Sequence, residues 1–121
     1  MQTTVDIEGK PVNIKTSAAA DRALDRRGQP LLAEMELYFS CLVRKQVRFH
    51  DAGSYDNEVS VGDALSVRFR PVMTAKCGVD YEGDEPPLTD FPIVKTRPYV
   101  PNWLRIDYKG GEWVGEFGYS S

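Results

Sequence analysis

The chain has 121 residues, 41% hydrophobic and 27% charged, enough apolar surface for a single domain over residues 1–121 to fold around one core rather than stay disordered. Its formal net charge of −3 argues against generic nucleic-acid binding, which favours basic chains. No apolar run approaches the roughly 18 residues that span a bilayer, and Met1–Asp6 lacks the basic and apolar regions of a secretory leader, so a cytoplasmic protein without membrane contact is expected.

The first element reads as a β-hairpin turning at Gly9-Lys10, with Ile7 opposite Val12 and Val5 opposite Ile14, all four on one face. Pro11, which has no amide proton, pushes this ribbon toward a sheet edge or a strand start. One short helix follows over 18–27. Ser17 is a good N-cap, Asp21 sits near the positive end, Arg26 and Arg27 at the negative end, and Gly28 is placed for a C′ residue. Its apolar stripe, Ala20, Ala23 and Leu24, is too thin for the helix to stand alone in water, so it must dock on a sheet.

Residues 31–49 carry a two-residue period. Leu31, Ala33, Met35, Leu37, Phe39, Cys41, Val43, Val47 and Phe49 share the buried phase, and Glu34, Glu36, Tyr38, Arg44, Gln46 and Arg48 the wetter one. A helical stripe through Leu32, Met35, Phe39 and Leu42 also exists but strands Leu37 and Val43. One long bent strand or two in sequence is the better reading. A polar loop over 50–57 leads into a strand over 59–69 with Leu65, Val67 and Phe69 inward, Gly62-Asp63 as a turn or bulge, and Pro71 ending central pairing.

Residues 75–90 read as an acidic surface loop with Asp80, Glu82, Asp84 and Glu85, and prolines 92, 98 and 101 bracket a short edge segment. The chain closes in a hairpin over 103–119 through Gly110-Gly111. Its register sets Lys109 against Glu112, Tyr108 against Trp113, Arg105 against Glu116 and Leu104 against Phe117, four favourable pairs at once. Leu104, Ile106, Tyr108, Trp113, Phe117 and Tyr119 then share a core face. Together these elements predict an α+β fold: mostly antiparallel β, a curved sheet or small barrel of five to seven strands, with one short N-terminal helix.

Motifs for catalysis are missing: the sequence has no phosphate loop, nucleophile elbow, paired CxxC or HExxH, and no residue is assigned a catalytic role. His50 is the single histidine and reads as a solvated strand end. Cys41, His50 and Cys77 together could serve a metal or redox protein, but their spacing is not that of a zinc site, so neither metal nor cofactor is assigned. The acidic loop at 80–85 alternates carboxylates around Gly83 without the EF-hand spacing.

The feature with most chemistry is a cationic strip. Arg44 and Arg48 share one strand face, and Arg68 and Arg70 lie on the segment expected to pair antiparallel with it, so four guanidinium groups would converge. Guanidinium groups suit bidentate capture of phosphate or carboxylate, which makes the strip a candidate site for a nucleotide, a cyclic dinucleotide or phosphate. The commoner fate of such a strip is neutralisation by Glu34, Glu36 and the acidic loop in cross-strand ion pairs. Tyr99 and Trp103, beside a proline-rich segment, form a candidate surface for a protein partner. The preferred reading is a small non-catalytic binding or accessory module, with the anion site as its rival; the oligomeric state is left open.

Overall fold

A computed structural model describes residues 1–39, 44–74, 88–90 and 97–119. Within them the fold is α+β: one helix and two mixed sheets. The elements are β1 (Gln2–Ile7), β2 (Lys10–Thr16), α1 (Ala18–Arg26), β3 (Leu31–Phe39), β4 (Arg44–Asp51), β5 (Val59–Ser60), β6 (Leu65–Thr74), β7 (Leu88–Asp90), a 3₁₀ turn (Arg97–Tyr99), β8 (Trp103–Lys109) and β9 (Glu112–Gly118). The first sheet has four strands in the order β1-β2-β8-β9. The second has five, ordered β4-β3-β6-β5 with β7 on β6. Among the described residues the strands form two sheets and no closed barrel, and they exceed the five to seven expected.

Hairpins supply the antiparallel pairs, but two neighbours run parallel: β2 beside β8, and β3 beside β6. The second pairing corrects the expected topology, in which β6 lay against β4. β4 folds back on β3 and ends at Asp51 opposite Leu31, so the chain leaves at the end where β3 began. It crosses that end to reach β6, whose first residue Leu65 also lies beside Leu31. Hydrogen bonds from Ala52 N–H to the Pro30 carbonyl (3.0 Å) and from Leu31 N–H to the Ala64 carbonyl (2.9 Å) pin the crossing. A strand started from that end can only run parallel to β3.

Local chemistry explains where the other expectations held or shifted. The first hairpin turns at Glu8-Gly9, with φ of 53° and 81°, not at Gly9-Lys10, so Val5 faces Val12 and Thr3 faces Ile14. A two-residue turn is closed by the N–H of the residue after it. Lys10 has that proton and Pro11 does not. The slip is of two residues, so Ile7, Val12 and Ile14 keep the core face that the sequence assigned them. Pro11 stands at the start of β2, before pairing with β8 begins at Asn13.

Helix α1 is capped by the Ser17 hydroxyl, which accepts from Ala20 N–H, and it buries Ala20, Ala23 and Leu24. Gly28 does not act as a left-handed cap. The helix ends because Arg27 turns extended (φ −77°, ψ 143°), with its guanidinium held by the Gln29 carbonyl and Asp51. Pro71 does not end β6 either: it lies opposite Leu37 and falls between the stretch of β6 paired to β5 and the stretch paired to β7, where its missing proton breaks no bond on that side. The C-terminal hairpin has the register read from the sequence, and Gly110 and Gly111 supply the positive φ of its turn, 57° and 81°. Tyr119 is the exception on its face: it is exposed, one residue beyond the pairing.

The core lies between the two sheets. Val12, Ile14, Leu104, Ile106 and Phe117 come from one, Leu31, Ala33, Met35, Leu65 and Val67 from the other, and Ala20 and Leu24 join from the helix. The sheets approach closely where β9 meets β4: a Cβ on Gly115 would stand 2.9 Å from Val47 Cγ1 and 3.0 Å from Phe49 Cζ. Among the described residues no helix is long and apolar enough to cross a membrane.

Candidate functional site: an ionic layer on the five-stranded sheet

The face of the second sheet that looks away from the core is built in rows across β4, β3 and β6. Pairing places Arg44, Tyr38 and Val72 in one row, Gln46, Glu36 and Arg70 in the next, then Arg48, Glu34 and Arg68, then His50, Leu32 and Ser66. β3 is the middle strand, so long side chains from both neighbours lie over it. As a result its expected wetter phase is buried: Glu34 and Glu36 are 2% and 1% exposed.

Two buried carboxylates require partners, since an unpaired ion at such a site is strongly disfavoured. Glu34 Oε2 accepts from Arg68 Nη1 at 2.7 Å, and His50 Nε2 lies 3.4 Å from its other oxygen. Glu36 Oε1 accepts from Arg48 Nε at 2.6 Å and from the Tyr38 hydroxyl at 3.0 Å, while Arg70 Nη1 stands 3.5 Å from Oε2. Arg48 also donates to the Tyr38 hydroxyl at 3.0 Å. Burial, with the Glu36 carboxylate beside it, holds the Tyr38 phenol above its ordinary range although Arg48 works against that. Tyr38 and Glu36 in turn keep Arg48 more firmly protonated than a free guanidinium. Tyr55 closes one end, with its ring 4.8 Å from that of His50 and 5.5 Å from the Arg68 guanidinium.

The four arginines of the strip therefore share a face, but not in the expected way. Arg48 and Arg70 meet on Glu36 from opposite sides, Arg68 sits on Glu34, and Arg44 is exposed at the start of β4. The alternating period carried this face into view from the sequence. The burial of both glutamates could not be seen there, because it follows from β3 being an interior strand. His50, read as solvated, is instead part of the layer. Cys41 and Cys77, needed for the metal or redox reading, lie outside the described residues, as does the acidic loop at 80–85.

The partner candidates are on the other sheet. Trp103 lies on its outer face, across from Gly118, whose absent side chain lets the indole ring pack against the backbone. Arg105 covers that ring at 5.0 Å. Tyr99 is exposed, in a segment tied down by Lys10 Nζ donating to the Val100 carbonyl (2.5 Å) and by the Tyr119 hydroxyl donating to the Tyr99 carbonyl (2.5 Å). Trp103 thus supports the sheet, and Tyr99 is the displayed ring. No family model, curated protein or solved structure matches this chain.

Proposed function

We propose that this chain is a small non-catalytic binding or accessory module that receives an anionic ligand on the arginine face. The observation that supports this reading is a donor left over in the layer: Arg68 Nε is buried without a hydrogen-bond partner, on the face where Arg44 stands exposed at the start of β4. Glu34 and Glu36 hold the guanidinium planes from beneath, which orders the donors before any ligand arrives. A nucleotide, a cyclic dinucleotide or inorganic phosphate has the chemistry for such a face.

Amide NMR titration with those three compounds tests it. Saturable shifts across residues 44–50 and 66–70, weakened by salt and by Arg44→Gln, are the expected result. A spectrum that none of them moves there would leave the layer as a purely structural device. A protein partner is the second reading, favoured by the exposure of Tyr99 on a pinned segment. It predicts partner binding insensitive to salt and weakened by Tyr99→Ala.

A further inference from the structure

The outer face of the four-stranded sheet carries an open trough of about 520 Å³, lined by Gln2, Asn13, Lys15, Asn102, Trp103 and Arg105. That volume lies within the range of small-molecule sites. Among the described residues the lining holds two cations, three amides, one indole ring and Leu104, and no carboxylate.

The two cations are placed against their own interest. Lys15 on β2 and Arg105 on β8 are direct partners in the parallel register, so like charges stand side by side on one face. Arg105 has a distant counter-ion in Glu116 at 3.8 Å, but both side chains are about two-thirds exposed (64% and 67%), and such pairs contribute little. Lys15 has no ion pair among the described residues, and the Gln2 and Asn13 side chains have no hydrogen bond there. An anion seated between Lys15 and Arg105 would relieve the repulsion and bring charge-assisted hydrogen bonds from both.

From this placement we infer a second ligand site, independent of the arginine layer on the opposite sheet: the trough binds a small phosphorylated molecule. Its phosphate lies between Lys15 and Arg105, and its body extends along the trough within reach of the Gln2 and Asn13 amides. The sequence hid this site because its residues come from the first hairpin and from a strand about ninety residues later, joined by the parallel pairing of β2 and β8.

The test is amide NMR titration of the full chain with inorganic phosphate and, separately, adenosine monophosphate. Adenosine monophosphate should shift residues 13–15 and 103–105 together with the Trp103 indole N–H, more strongly than phosphate does. Lys15→Ser and Arg105→Ser, both exposed and outside the core, should each weaken it about tenfold. Equal affinity for the two probes would overturn the seating of the body in the trough. Shifts that persist in both variants, or that fall only on residues 44–50 and 66–70, would overturn the site itself. The second of those outcomes would at the same time support the arginine face, so the two proposals fail separately.

Discussion

Tyr119 shows how far one side chain can be moved by its surroundings. Although 38% of the residue stays exposed, partial burial of its phenol pushes it up to about 12 from an ordinary 10.0. The raised value means the neutral form is favoured in the folded state, so the stability it lends is complete below pH 10 and declines from there to about 12. Tyrosinate absorbance should show a step near that upper value, absent in Tyr119→Phe; a Tyr119→Phe protein that keeps the step would show that another tyrosine is responsible. Ser17 acts at the opposite end of the pH scale. Its hydroxyl caps α1 and donates to Asp107 Oδ1 at 2.5 Å, and that bond, with Tyr108 N–H, holds the Asp107 carboxyl below its usual range. Ser17→Ala should cost about 1 kcal/mol in denaturant unfolding. The Asp107 contribution, present above its unfolded pKa of 3.8, should be lost as pH falls through its lower folded value. Asp107→Asn would therefore flatten the acid limb of the stability curve.

At the scale of elements, β3 decides most. Its seven consecutive buried residues, 31–37, belong to a strand covered on both faces, by core on one and by arginines on the other. Glu36→Ala removes the buried carboxylate shared by Arg48, Arg70 and Tyr38 and should destabilise by about 3 kcal/mol, because it breaks a buried ion-pair cluster while the guanidinium groups stay packed over the strand. Glu36→Gln, equal in shape, should recover part of the loss. Similar stability in Glu36→Ala and the parent would mean that the layer contributes nothing to the fold. The β8–β9 hairpin depends on a different kind of fit. A Cβ on Gly118 would run into the indole of Trp103, 2.7 Å from Cε2, so Gly118→Ala should lower stability by about 1–3 kcal/mol and displace the Trp103 indole resonance. An unmoved resonance would show that the ring does not lie on Gly118.

The whole molecule is held by contacts distant in sequence. β2 finds its neighbour β8 about ninety residues later, and the core draws on both ends of the chain. Such topologies fold slowly, on the order of milliseconds to seconds. Deleting residues 103–119 would strip Leu104, Ile106 and Phe117 from the core and leave β2 without one of its two partners. The truncated chain should lose its near-ultraviolet circular dichroism and amide dispersion altogether. Retention of a native-like spectrum for residues 18–74 would instead show that the second sheet and the helix fold without the first.

What was legible in the sequence was whatever a few neighbouring residues decide between them. The register of the β8–β9 hairpin follows from two glycines and four matched pairs, the α1 cap from Ser17, and the core phase of β3 from a two-residue period. The first hairpin was legible as to face but not as to register, because a single proton missing from Pro11 chose between two neighbouring turns. Only tertiary structure decided which strands became neighbours. That choice made β3 interior, buried Glu34 and Glu36 beneath the arginines, set β6 parallel to β3, and brought Lys15 beside Arg105. Local pattern records which way a side chain faces along its own strand. It does not record what lies on the next strand, since pairing partners are selected by the closure of the whole chain around its core.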